Sequence, residues 1–310
     1  MRIVFMGTPL AAAPSLSKLL EDGHEVIAVY TQPDRPAGRG NKIVYSPVKQ
    51  FAMDNGIAVL QPTKIRTPEA LTEFSSFQAD LAVVVAYGRI LPETFLSAFP
   101  YGAVNVHFSL LPKYRGAAPV NWAIVNGETV TGVTTMKMDA GLDTGDILLQ
   151  KETEIGMDEN SIELMERLSR IGADLLSETL KCISKIEPRE QNNSEASLAP
   201  MMKKEDGRFT WEMPADQIAR RVRGFQPFPT TFSYLKGKKL TLWRCSVAEE
   251  PAHDPVPGEI IAAHGNDLAV QCGDGRALRI HELQLEGKRR MSARDFLNGV
   301  KLSIGEKLIS

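Results

Sequence analysis

What most constrains this chain is the exchange of short apolar runs and helical patterns over its first 187 residues. Strands are expected at Ile3–Met6, Glu25–Thr31, Ala58–Gln61, Leu81–Ala86, Ala103–Val106 and Thr134–Met138. Between them, apolar residues recurring at helical spacing predict helices at Ala11–Glu21, Pro47–Asn55, Pro68–Phe77 and Ala117–Asn126, and a longer one over Ser161–Ile186. Strands of Val, Ile and Ala bounded by turns, with helices between, indicate a parallel sheet covered on both faces. Such sheets take ligands outside the carboxyl ends of their strands. No dinucleotide fingerprint follows the first strand, because Gly7-Thr8-Pro9-Leu10 stands where G-x-G-x-x-G is required. That argues against a dehydrogenase.

Pro188, Gln191-Asn192-Asn193-Ser194 and Pro200 mark residues 188–206 as a linker. Beyond it the pattern changes to short β-rich runs at Thr231–Leu235, Leu240–Val247, Gly258–Ala263, Asp267–Gln271 and Ala277–Leu285. Helices there are few, at Ala215–Arg223 and Ala293–Asn298. The fold class is thus α/β: a Rossmann-like parallel-sheet domain over residues 1–187, then a small OB-like β-barrel over 207–310. The chain carries 36 Lys and Arg against 38 Asp and Glu, which excludes a uniformly basic nucleic-acid binder. Residues 206–310 alone hold 16 against 13, a mild basic excess that suits an acidic partner. No apolar run is long enough to span a membrane, and Met1–Gly7 reads as a first strand rather than a signal peptide. Cys182, Cys245 and Cys272 are too far apart for a disulfide framework and suggest buried thiols in a reducing, cytoplasmic setting.

The densest chemistry lies at Val104-Asn105-Val106-His107-Phe108-Ser109-Leu110-Leu111-Pro112. Asn105 and His107 stand two apart on a strand and share one face. The flanking Val104 and Val106 bury the other face, so two polar groups in register need a reason. Some thirty residues on, Asp139-Ala140-Gly141-Leu142-Asp143-Thr144-Gly145-Asp146 offers a carboxylate on a loop, and composition does not choose among its three acids. An amide can donate to a developing oxyanion, and an imidazole beside a carboxylate can hold a proton near neutral pH. This is equipment for attack at a carbonyl-type carbon. Zinc is not expected, since Asn is a poor ligand and no second His or Cys lies at metal spacing.

Two cationic stretches stand apart. Gln32–Lys42 carries Arg35, Arg39 and Lys42 among Pro and Gly, and is expected to form neither helix nor regular strand; it suits contact with phosphates. Arg220–Pro229, with its aromatic and Pro residues, reads as a domain-packing seam, and Lys288-Arg289-Arg290 as a solvated turn.

At these residues the sequence resembles the methionyl-tRNA formyltransferases. The matching pieces are Arg2–Pro9, Thr31–Gly40, Ser46–Lys49, Val83–Pro92, Asn105–Pro119, Met138–Asp146 and Val222–Pro229, which span nearly the whole chain. Phe108 stands where a smaller residue is expected and Phe228 where Trp is commoner, and Asn41–Tyr45 is less basic than usual. The resemblance implies transfer of a formyl group from 10-formyltetrahydrofolate to the amine of methionyl-initiator tRNA. Asn105, His107 and Asp143 would be catalytic. Ser109, Leu110, Leu111 and Pro112 would line the folate site, Ile90 and Leu91 its pterin pocket. Arg35, Arg39 and Lys42 would contact tRNA. The folate is a co-substrate, no metal or tightly bound cofactor is implied, and a cytoplasmic monomer is expected. The rivals are a related formyltransferase or formyl-folate hydrolase acting on a small acceptor, and a non-catalytic RNA-binding protein.

Overall fold

The computed structural model describes residues 1–37, 42–248 and 256–309, which form two compact units. The first comprises Met1–Pro119, Val130–Glu154 and Met165–Pro200; the second comprises Val120–Thr129, Ile155–Leu164 and Met201–Ser310. The chain's strands are β1 (Arg2–Gly7), β2 (Glu25–Tyr30), β3 (Arg35–Ala37), β4 (Lys42–Val44), β5 (Val59–Leu60), β6 (Leu81–Val85), β7 (Ala103–His107), β8 (Val130–Lys137), β9 (Ile147–Glu154), β10 (Thr231–Leu235), β11 (Lys238–Ala248), β12 (Ile260–His264), β13 (Asp267–Gln271), β14 (Ala277–Leu285) and β15 (Met291–Ser292). The helices are α1 (Ala13–Glu21), α2 (Pro47–Asp54), α3 (Pro68–Ser76), α4 (Glu93–Leu96), α5 (Pro119–Asn126), α6 (Ser161–Cys182), α7 (Ala215–Gly224) and α8 (Ala293–Gly299).

In the first unit, seven strands form one sheet in the order β5-β2-β1-β6-β7-β8-β9. The pairs from β5 to β7 are parallel, as the alternating pattern requires. Val4, Met6, Ala28, Tyr30 and Val84 on one face meet Phe74, Phe95 and Phe99 from the helical layer, in a fully buried core. The helix starts are written in the sequence. Ser46 accepts from the Lys49 amide at 3.2 Å and Thr67 from the Ala70 amide at 3.2 Å, each followed by a proline at the first helical position. Gly7 ends β1 where a Cβ would lie 2.9 Å from the Val85 carbonyl oxygen, so the turn into α1 tolerates no side chain.

Two expectations need correction. The sheet is not wholly parallel, because β8 and β9 run antiparallel to their neighbours and form a hairpin at its edge. The strand expected at Thr134–Met138 is the second half of β8, and β9 carries too many charged residues to read as a buried strand. The Gln32–Lys42 stretch is not irregular throughout either. Arg35–Ala37 and Lys42–Val44 pair antiparallel, with Pro36 opposite Ile43. Both strands of a two-stranded ribbon are edges, so a proline's missing N–H costs no ladder bond there.

The second unit is an antiparallel sheet in the order β10-β11-β14-β13-β12, with β15 on β14. Its core is Trp211, Ile218, Val222, Leu242, Val270, Leu278, Ile280, Leu283 and Phe296, drawn from the sheet, from α7 and α8 and from the turn before α7. The C-terminal tail joins the two outer strands. Tyr234 of β10 exchanges both backbone bonds with Ile309, at 2.7 and 2.9 Å, while Ile260 of β12 donates to Glu306 at 2.8 Å and accepts from Gly305 at 3.0 Å. The sheet is thereby closed into a barrel. Arg220–Pro229 packs as a seam inside this unit: Asn121 Nδ2 donates to the Gly224 carbonyl at 2.7 Å, and Ser161 Oγ to that of Gln226 at 2.6 Å. Arg290 does more than face water, since it pairs with Glu282 at 2.6 Å and lies over the Trp243 ring. Cys245 and Cys272 are buried, which pushes both thiols up to about 12.

Because the tail closes the barrel, its loss should be costly. It contributes backbone bonds to two strands and the buried Leu308, 4% exposed. A chain ending at Ile304 should lose about 3 kcal/mol or more of stability, from side-chain burial and net hydrogen bonding. Urea unfolding followed by tryptophan fluorescence measures this, and an unchanged midpoint would show that the barrel does not depend on its tail.

Candidate active site

β7 places Asn105 and His107 on one sheet face, 8% and 6% exposed. His107 Nε2 lies 2.9 Å from the Tyr114 carbonyl oxygen. A carbonyl only accepts, so Nε2 carries the proton of that bond and Nδ1 is left facing the site. Asp143 Oδ2 stands 3.7 Å from Nδ1, and the same oxygen accepts the Gly116 amide at 2.8 Å. At 3.7 Å the two groups face one volume without being locked to each other. No side-chain bond engages the Asn105 amide among the described residues, so its donors are available there.

The carboxylate has far to come. In the β7–β8 ladder His107 lies opposite Thr134 and Val104 opposite Lys137, so the loop after β8 starts about 10 Å from His107, three residues back along the strand. The loop returns across the sheet face, and its path is tightly held. Gly145 packs directly on the Lys137 carbonyl, Asp143 adopts a left-handed φ of 52°, and Asp139 accepts from the Gly141 amide at 3.1 Å and the Thr144 hydroxyl at 2.8 Å. Asp139 thus shapes the turn, and Asp143 is the one of the three acids that meets His107 among the described residues.

Ser109–Pro112 forms a turn fastened by backbone contacts. Ser109 Oγ donates to the Lys113 carbonyl at 2.6 Å, and Thr134 Oγ1 donates to Ser109 O at 2.7 Å while accepting the Leu111 amide at 3.1 Å. Leu110 packs near Gly132. Gln150 Nε2 bonds the Leu111 carbonyl at 2.8 Å and is itself held by Arg189 at 2.6 Å. Ile90, 59% exposed, and the buried Leu91 lie elsewhere, lining a cavity of about 520 Å³ with Arg66, Thr67, Glu93 and Ala140 of the Asp143 loop. That volume suits a small organic ligand. Gly172 of α6 packs closely on this strand: a Cβ there would lie 2.9 Å from Val106 Cγ1, and 3.4 Å from the Phe108 ring.

Sequence reading missed the partners that hold these loops. The segment read as a linker runs beside 112–118, with the Arg115 carbonyl accepting the Ala199 amide at 2.7 Å and the Arg115 amide donating to the Ser197 carbonyl at 2.8 Å. The cationic hairpin is rooted by a second set. Lys49 Nζ reaches Asp34 at 2.5 Å and Gln61 at 2.8 Å and lies over the Tyr45 ring, so both ends of the hairpin are tied to one ammonium. Arg35 and Lys42 lie on β3 and β4, and Arg39 falls outside the described residues.

The family models agree with this architecture: "Formyl transferase" matches residues 1–180, and "Formyl transferase, C-terminal domain" matches residues 201–301. A methionyl-tRNA formyltransferase of Geobacter metallireducens is 50% identical over 308 residues, covering 99% of this chain and 98% of its own. This chain belongs to the methionyl-tRNA formyltransferase family. Another member, from Acetivibrio thermocellus, is 49% identical over 310 residues, covering 99% of both chains. Among solved structures, an N-formyltransferase of Helicobacter canadensis, in complex with folinic acid and dTDP-3-aminofucose, shares the fold. Its TM-score is 0.67 at 20% identity, over 90% of this chain and 98% of that one.

The hairpin root carries a pH signature. Hydrogen bonds from Lys49 and then Gln61 hold the Asp34 carboxyl below its ordinary value. A depressed carboxyl stabilises the fold above its unfolded pKa of about 3.9, and that contribution is lost as pH falls through the folded value. Asp34→Asn should therefore be less stable than the parent at pH 7, with the gap closing only below about pH 4. Denaturant titrations across pH measure it; a gap that widens on acidification would contradict the assignment.

Proposed function

We propose that this chain transfers the formyl group of 10-formyltetrahydrofolate to the free amine of methionyl-initiator tRNA, giving N-formylmethionyl-tRNA. The observation that carries the reading is the meeting of Asn105, His107 and Asp143 on one sheet face, in a chain of this family. The amine nitrogen attacks the formyl carbon, and negative charge collects on the formyl oxygen. The Asn105 amide and a proton on His107 Nδ1 donate to that oxygen, because Nε2 is already committed to Tyr114. Asp143 takes up, through water, the proton the amine must lose. The bond from carbon to N10 breaks, the proton taken up by Asp143 passes through water to that nitrogen, and tetrahydrofolate leaves. No covalent enzyme intermediate is needed.

In this reading the pterin occupies the cavity of Ile90 and Leu91, with the Ser109–Pro112 turn alongside the folate. The hairpin bearing Arg35, Arg39 and Lys42 grips phosphates of the acceptor arm, and residues 207–310 add tRNA surface through their basic excess. The enzyme works as a monomer in the cytoplasm.

The test is formyl transfer to charged initiator tRNA, charged elongator tRNA and small amines. Initiator tRNA should be the preferred acceptor, and formylation of small amines alone would overturn the tRNA reading. Losing either oxyanion donor, in Asn105→Ala or His107→Ala, should lower turnover roughly 10²–10³-fold with tRNA affinity nearly kept. Among the loop acids, Asp143→Asn should be the most damaging, ahead of Asp139→Asn and Asp146→Asn. A greater loss in Asp146→Asn would show that the wrong carboxylate has been assigned.

A further inference from the structure

Arg115 and Gln191 form a buried pair, 7% and 4% exposed. Arg115 Nε and Nη2 both donate to Gln191 Oε1, at 3.0 and 2.8 Å, and Nη2 also donates to Asn193 Oδ1 at 2.9 Å. A guanidinium has donors and no acceptor, so it decides which end of the glutamine amide faces it. The amide nitrogen is left facing the Asp143 loop, where it donates to the Asp143 carbonyl at 2.9 Å and the Gly145 carbonyl at 2.6 Å. We propose that Gln191, with its orientation fixed by Arg115, is the positioning residue that holds Asp143 against His107. The proposal rests on the formyl-transfer reading of the same site.

The geometry gives Gln191 a task that nothing else described performs. Asp139 pins the front of the loop through Gly141 and Thr144. The rear, from Asp143 to Gly145, has its two carbonyls held by Gln191 alone among side chains of the described residues. Asp143 itself sits in the left-handed region, which few residues other than glycine adopt, Asn and Asp most often. Among the described residues, its carboxylate accepts from a single amide, that of Gly116. Arg115 is the residue before Gly116, so one short stretch supplies the amide that binds the carboxylate and the guanidinium that orients the clamp on its backbone. Both partners of Arg115 in this network are neutral amide oxygens. A carboxylate at position 191 would pair with the guanidinium well but could donate to neither carbonyl.

Gln191→Glu therefore keeps the Arg115 contact and removes both bonds to the loop. Turnover at saturating substrates should fall roughly tenfold to a hundredfold, as displacement of a reacting group by about an ångström does. The Michaelis constants for charged tRNA and formyl-folate should stay near those of the parent. The decisive reading is the double variant. Because Gln191 acts through Asp143, Gln191→Glu added to Asp143→Asn should cost nothing further. Losses that multiply in the double variant, or full turnover in Gln191→Glu beside a slow Asp143→Asn, would overturn the inference while leaving the catalytic reading intact. Normal turnover in Asp143→Asn would overturn that reading and the inference with it. Should Gln191→Glu fail to fold, Arg115→Lys, which keeps the charge but cannot serve both amides, takes its place in the same cycle. It should likewise slow the parent and leave Asp143→Asn unchanged.

Discussion

The bond between His107 Nε2 and the Tyr114 carbonyl, 2.9 Å long, is the contact on which the site depends. It ties the end of β7 to a turn seven residues on, and it settles which imidazole nitrogen faces the reaction. Everything else in the site is arranged around the nitrogen left over. Gly116, two residues past Tyr114, gives its amide to Asp143, so the same turn that fixes the imidazole also receives the carboxylate. The turn is held in place by the strand-like segment at 197–199, which exchanges backbone bonds with Arg115. Imidazole, carboxylate and backbone are thus set by one continuous hydrogen-bonded assembly within a single unit.

Two arginine-glutamine pairs recur in this assembly. Arg115 orients Gln191 onto the Asp143 loop, and Arg189 orients Gln150 onto the carbonyl of Leu111. In each case a donor-only group fixes an amide, and the amide satisfies loop carbonyls that would otherwise be stranded away from water. A buried carbonyl without a partner costs about 1–3 kcal/mol, so each pair makes one loop conformation cheaper than its alternatives. Two of the four side chains come from residues 189–191, which carry the linker's polar composition but are part of the first unit's scaffold.

The central strands were legible because burial on both faces demands unbroken apolar runs, as in Val83-Val84-Val85. Asn105 and His107 stood out for the opposite reason, two polar residues in register where the neighbours are apolar. The edge hairpin was harder to read, since β9 holds Lys151, Glu152 and Glu154 on an exposed strand. Asp143 could not be chosen over Asp139 and Asp146 because the choice depends on the fold of the loop over a strand some thirty residues earlier. Gln191 was invisible for the same reason: its significance lies wholly in the guanidinium and carbonyls brought to it from positions 115, 143 and 145. The closing of the barrel by residues 305–309 likewise leaves no local pattern, because that tail pairs with two strands at once.

The most direct measurement of the central claim is the tautomer of His107, read by 15N NMR on histidine-labelled protein. The Tyr114 carbonyl requires the neutral ring to carry its proton on Nε2, leaving Nδ1 bare toward Asp143 and the substrate. A shift pattern with Nε2 protonated and Nδ1 unprotonated, lost when Asp143 or the Tyr114 turn is disturbed, is the expected result. A neutral ring protonated on Nδ1, with Nε2 bare, would contradict the account, because Nε2 would then have no proton to give the Tyr114 carbonyl.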